Sequence, residues 1–176
     1  MILFFNGYRI AVFWTFLLFA LSGCSSPSKQ QGELLDETLL KEKIGQMLIV
    51  GFDGFKVETN SPIARAIQHR QLGGVILFDY DLKKKTYRRN IESPAQLKKL
   101  TAELQSLAAE ADRYRANTAV SSYPLIIAVD YEGGEVNRLN SRYGFPETYS
   151  AQQFAKLPIQ QKQQQTQSMA KTLVWL

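Results

Sequence analysis

Cysteine occurs once in these 176 residues, at Cys24, and histidine once, at His69. A single cysteine excludes an internal disulfide. A single histidine leaves little from which to build an imidazole or thiolate metal centre. Long apolar runs are also missing. Ile10 to Leu21 is the most apolar stretch, and its 12 residues fall short of the roughly 20 that a membrane-spanning helix needs. Charge of one sign is not in large excess, since Lys plus Arg number 21 against 16 Asp plus Glu, a net of +5. Such a surplus on an ordinary chain serves solubility and does not specify nucleic-acid binding. The one basic cluster is "KKKTYRR" (Lys83, Lys84, Lys85, Arg88, Arg89), which reads either as a solvated loop or as a patch drawn to anionic lipid or polymer. With 45% hydrophobic and 21% charged residues, the composition suits one globular domain.

The N-terminus is more specific. A lone Arg9 precedes "IAVFWTFLLFALSGC", and small residues follow the apolar run, which is the layout of a secretory signal over residues 1–23. The stretch "LSGC", Leu21 to Cys24, resembles the bacterial lipobox, in which cleavage precedes the cysteine and the thiol is lipidated. That resemblance implies a lipid anchor on Cys24 and so a membrane partner. Ser25 in the next position implies outer-membrane retention facing the periplasm, within a bacterial cell envelope. Residues 24–33, rich in Ser, Pro, Lys and Gln without an apolar period, read as a tether.

From Leu34 helical and strand patterns alternate. "LLDETLLKEKIGQ" places Leu35, Leu39, Leu40 and Ile44 at helical spacing, and "MLIVGF" follows as a buried strand. "SPIARAIQHRQLGG" predicts a helix with Ser61 as N-cap, Pro62 in the first position, Ile63 and Ile67 on one face, and Gly73 as its terminator. "GVILF" is the second strand. "SPAQLKKLTAELQSLAAEA" predicts a longer helix, with Ser93 and Gln96 spaced as a capping box and Leu97, Leu100, Leu104, Leu107 and Ala111 as its stripe. "PLIIAVD" is the third strand. His69 sits among polar neighbours and has no chemical partner in view. Continuously apolar strands alternating with helices predict a parallel sheet, hence an α/β fold. In such folds the strand ends carry the binding groups.

Asp130 stands at such an end, inside "VDYEGGEVNR". A carboxylate there can accept hydrogen bonds from two neighbouring hydroxyls, and Gly133 with Gly134 would let backbone approach a ligand closely. Arg138 could donate to a ligand oxygen or hold Asp130 or Glu132 in place. A metal site would need three or more converging ligands, and no histidine lies nearby. "EGGE" would set two like charges against a phosphate. A charged turn with a structural ion pair is the remaining alternative.

"VDYEGGEVNR", preceded by "PLIIA" and followed by "LNSRYGFP", resembles the signature of glycoside hydrolase family 3, in the branch of bacterial β-N-acetylhexosaminidases. "KIGQMLIVGFDG", "LGGVILFD" and "RNIESPAQLKKLTAELQ" extend the resemblance over residues 38–176. It implies a (β/α)8 TIM-type barrel, of which residues 34–176 would supply the N-terminal part: about three βα units of the eight. The implied reaction is retaining hydrolysis of terminal β-linked N-acetylhexosamine in an amino-sugar oligosaccharide, with no cofactor, metal or nucleic acid. Asp130 matches the aspartate that holds the sugar hydroxyls, Arg138 the arginine that helps hold the same sugar, and Glu132 a supporting position. Tyr131 replaces a common glutamine. Glu135 departs from a common arginine, and its side chain is expected to point away from the sugar. Retaining hydrolysis needs a nucleophile and a proton donor. The family's nucleophilic aspartate and histidine acid/base would lie beyond Leu176, so no catalytic residue is assignable here and the chain alone is expected to be inactive. A noncatalytic lipoprotein keeping only a sugar-contacting loop is the alternative.

Overall fold

A computed structural model describes residues 37, 39–69, 71–113 and 124–175. The signal, Cys24, the tether and Leu35 lie outside them. The chain divides into Met1–Leu40 and Lys41–Leu176. In the first unit residues 37, 39 and 40 are described, and all are helical.

The second unit opens with helical residues 41–45 and continues into β1 (Ile49–Gly51). Helix α1 (Pro62–Gln68) leads to β2 (Gly74–Leu77), and α2 (Pro94–Arg113) leads to β5 (Ile126–Val129). The three strands form one parallel sheet in the order β1-β2-β5, with Val50 opposite Val75 and Val75 opposite Ile127. Strand–helix–strand repetition in chain order is the opening of a (β/α)8-like barrel.

The caps that start these helices are where the sequence places them. Ser61 Oγ accepts from Ala64 N at 3.2 Å with Pro62 in the first turn. At α2, Ser93 Oγ accepts from Gln96 N at 3.2 Å, but the reciprocal half of the box is displaced: Gln96 Oε1 accepts from Glu92 N at 2.9 Å. The Gln96 amide also donates to Phe55 O and Asn90 O at 2.9 and 3.1 Å, so it ties the helix start to two loops. Gly73 does not end α1. The helix stops at Gln68 with His69 as its C-cap, and Gly73 is instead where the chain passes Gln46, whose carbonyl oxygen would lie 2.1 Å from any Cβ.

The core lies between the sheet and the helices. Val75, Leu77, Leu97, Leu100, Leu104 and Ile91 are buried, and Leu107 packs against them half-buried. Each large apolar side chain so placed contributes about 1.5–3 kcal/mol. Only the central strand is enclosed, however. Ile49 and Ile126, on the two outer strands, are 48% and 54% exposed.

Two small antiparallel hairpins follow strand ends, and neither is readable from periodicity. Strands β3 (Tyr80–Asp81) and β4 (Thr86–Tyr87) pair just after β2. Strands β6 (Tyr131–Gly133) and β7 (Val136–Asn137) pair just after β5. A short 3-10 turn (Ser141–Tyr143), α3 (Ala151–Ala155) and α4 (Ile159–Trp175) complete the described chain.

Candidate functional site

Because the sheet is parallel, all three strands finish at the same edge, and each is followed within two residues by an aspartate: Asp53 after β1, Asp79 after β2, Asp130 after β5. Arg138 joins two of these ends. Its backbone N–H donates to Asp130 O at 2.9 Å. Its Nε lies 3.6 Å from Asp130 Oδ2, and its Nη1 lies 3.5 Å from Asp79 Oδ1. The Nε atom is enclosed and makes no hydrogen bond, since 3.6 Å is beyond hydrogen-bond range. The two carboxylates differ in setting: the Asp130 side chain is 41% exposed and that of Asp79 only 7%. Tyr143 completes the group, its hydroxyl donating to Asp79 Oδ2 at 3.4 Å. Burial pushes the Tyr143 hydroxyl above its ordinary range, and the Asp79 charge adds to this, so the phenol stays a donor at neutral pH.

The hairpin that delivers Arg138 depends on its glycines, though for a reason different from ligand access. Gly133 has φ +89 and Gly134 φ +60, in the left-handed region that other residues rarely adopt. A Cβ on Gly133 would meet Tyr149 O at 2.2 Å, and one on Gly134 would meet Ser150 Cβ at 2.7 Å. The close approach is therefore made by the chain's own segment before α3, and Asn137 Nδ2 fastens it through Thr148 Oγ1 at 2.7 Å. Glu132 and Glu135 are exposed. Arg138, the fifth residue past Gly133, is turned back to the strand end.

The basic cluster divides between two jobs. Asp81 Oδ1 accepts from Lys83 N and Lys84 N at 2.9 and 3.0 Å, and Lys84 Nζ lies 3.1 Å from Oδ2. The Lys84 backbone bond, followed by contacts with both lysines, holds the Asp81 carboxyl below its ordinary range. Arg89 leaves the cluster. Its Nε donates to Asp53 Oδ1 at 2.7 Å and to Phe52 O at 3.0 Å, with the guanidinium 5.2 Å from the Phe78 ring. It thus joins the ends of β1 and β2.

Structure brings Asp130 and Arg138 together as their spacing suggests, and adds Asp79, Tyr143 and the Asp53–Arg89 pair, which sequence reasoning did not single out. A signal existed for Asp79: "GVILFD" repeats the apolar-run-then-aspartate pattern of "IIAVD". Tyr143 had none, because its role follows from a contact across 64 positions. An exposed carboxylate beside a guanidinium, at the open end of a sheet, can accept and donate hydrogen bonds to a polyhydroxylated neutral ligand. Among the described residues no group of three or more His, Cys, Asp or Glu could hold a metal ion, and no helix is long and apolar enough to cross a membrane.

The beta-hexosaminidase of Methylobacillus flagellatus is 41% identical over 93 residues, which cover 53% of this chain and 20% of that protein. The beta-hexosaminidase of Nitrosomonas eutropha is 43% identical over 79 residues, covering 45% and 16%. NagZ from Neisseria gonorrhoeae in complex with zinc ion superposes with a TM-score of 0.49 and 26% identity, over 72% of this chain and 33% of that one. The chain spans about one fifth or less of the length of these curated relatives. Residues 39–175 match the glycosyl hydrolase family 3 N terminal domain, a span that includes every strand of the sheet together with Asp79, Asp130 and Arg138, and the chain belongs to that family.

Proposed function

We propose that this chain supplies the sugar-holding end of a glycosidase of the β-N-acetylhexosaminidase type, which hydrolyses terminal β-linked N-acetylhexosamine in amino-sugar oligomers with retention. The observation that carries the proposal is Asp130: a partly exposed carboxylate at the C-terminal end of β5, with the Arg138 guanidinium 3.6 Å away. Asp130 would accept hydrogen bonds from two sugar hydroxyls, and Arg138 would donate to a third oxygen while screening the carboxylate. Turnover needs a nucleophile and a proton donor, which in this proposal come from chain following Leu176. The test is titration of residues 25–176 with N-acetyl-D-glucosamine, alongside hydrolysis of 4-nitrophenyl N-acetyl-β-D-glucosaminide. Saturable binding without turnover is expected. Lack of binding would overturn the proposal.

The alternative proposal is a noncatalytic lipoprotein that keeps the sugar-contacting loop. Coding DNA beyond Leu176 discriminates the two: an in-frame or single-frameshift continuation with an acid/base histidine and a nucleophilic aspartate favours the enzyme.

The cell-envelope placement rests on "LSGC". We propose cleavage before Cys24, lipidation of its thiol and outer-membrane retention facing the periplasm, with residues 24–33 as tether. Mass spectrometry of the mature protein tests this. An unmodified Cys24, or cleavage elsewhere, contradicts it.

A further inference from the structure

We infer that Asp79 is a positioning residue that holds the guanidinium of Arg138 across the end of the sheet. Asp79 stands two residues past β2, the central strand of the sheet. Its carbonyl accepts from Arg88 N at 2.6 Å and Arg89 N at 3.2 Å, so its backbone is fixed by the β3–β4 hairpin as well as by the strand. Arg138, by contrast, follows the short β7 strand of a separate hairpin. Its backbone is tied to Asp130, but its side chain reaches over to Asp79.

Charge and burial then assign different tasks to the two carboxylates. Asp79 is 5% exposed and its oxygens are divided, Oδ1 facing Arg138 Nη1 and Oδ2 accepting the Tyr143 hydroxyl. A carboxylate removed from water attracts a nearby guanidinium more strongly than an exposed one does. It also resists losing that partner, because an unpaired buried charge is costly. Asp130 is the more exposed acid and is available to a ligand. If Asp130 alone held Arg138, every hydrogen bond Asp130 accepted from a ligand would compete with that grip. Asp79 removes the competition: Nη1 stays anchored and Nε stays enclosed beside Asp130, while the Asp130 carboxylate remains available to a ligand. Tyr143 fixes the orientation of the anchor from the opposite oxygen.

The consequence for binding rests on the sugar-holding role proposed for Asp130 and Arg138, whereas the positioning itself does not. Both are read in the full chain labelled with 15N-arginine. The Arg138 Nε–H resonance is assigned by its loss in Arg138→Lys. In Asp79→Asn this proton should exchange with solvent several-fold faster, and affinity for N-acetyl-D-glucosamine should fall about tenfold, as expected for loss of a hydrogen bond to a charged group. Tyr143→Phe leaves the ring packing and should shift both readouts in the same direction by less, which keeps the test decisive if Asp79→Asn does not fold. Added to Arg138→Lys, Asp79→Asn should cause no further loss of sugar affinity. Unchanged Nε–H exchange in both variants, or a further loss on the Arg138→Lys background, overturns the inference. Failure of the unsubstituted chain to bind the sugar overturns the sugar-holding role instead, and the exchange rates then decide the positioning.

Discussion

Arg138 Nε stops 3.6 Å from Asp130 Oδ2, close enough for attraction between the charges and too far for a hydrogen bond. The arginine is held near Asp130 without consuming it, so the partly exposed carboxylate keeps its hydrogen-bonding capacity toward the open end of the sheet.

Asp130→Asn keeps the shape of the side chain and replaces a charged acceptor oxygen with an amide donor. A hydroxyl that donated to the lost oxygen is left unpaired, at a cost of about 1–3 kcal/mol. Weaker binding of N-acetyl-D-glucosamine by titration is expected, with an unchanged unfolding midpoint because the carboxylate is partly exposed.

Gly133→Ala should destabilise the β6–β7 hairpin. The left-handed backbone at φ +89 costs a non-glycine residue about 1–2 kcal/mol, and the new methyl would collide with Tyr149 O. Thermal unfolding should fall by several degrees. Sugar binding should weaken too, since Arg138 is carried on the same hairpin.

Asp81 offers a pH test. Its carboxyl lies below the ordinary range in the folded chain, mainly through the Lys84 backbone bond. Its contribution is therefore present in full above the ordinary carboxylate pKa and is lost as pH falls through the lowered folded-state value. Asp81→Asn should flatten stability against pH in that acidic window and leave the slope near neutrality alone, as followed by denaturant unfolding at successive pH values.

The open edges of the sheet predict association. Ile126 is 54% exposed on the outer strand β5, and unpaired edges template pairing with other chains. Ile126→Lys should lower the apparent mass in sedimentation at high concentration. An unaltered mass distribution would show that the edge is not the contact.

Most of the scaffold is legible in the sequence because it rests on local chemistry. Ser61 with Pro62, and Ser93 with Gln96, announce helix starts through hydrogen bonds made within a few residues. The leucine stripe of α2 follows from helical spacing alone. What escapes is set by contacts far apart in the chain. Gly73 reads as a helix terminator because glycine does end helices, and only the passage of Gln46 reveals its task. The β3–β4 and β6–β7 strands are two or three residues long, too short for a period to register. Asp130 and Arg138 share one motif and could be paired from spacing, whereas the Tyr143–Asp79 bond joins segments that no local pattern connects.

The packing of Gly134 against Ser150 has a further effect on how this region can vary. Ser150 is also the N-cap of α3, with Gln153 completing its capping box, so one short stretch supports both the turn and the start of the next helix. Residues cannot be inserted at the turn without pushing Ser150 out of its cap, and α3 cannot be shifted without opening the turn. The Lys83–Lys85 tip of the β3–β4 hairpin is exposed, and Asp81 of the same hairpin holds its turn. Length changes across related sequences should accordingly gather at the lysine tip and spare the paired glycines, a division of tolerance set by backbone crowding and independent of what the site binds.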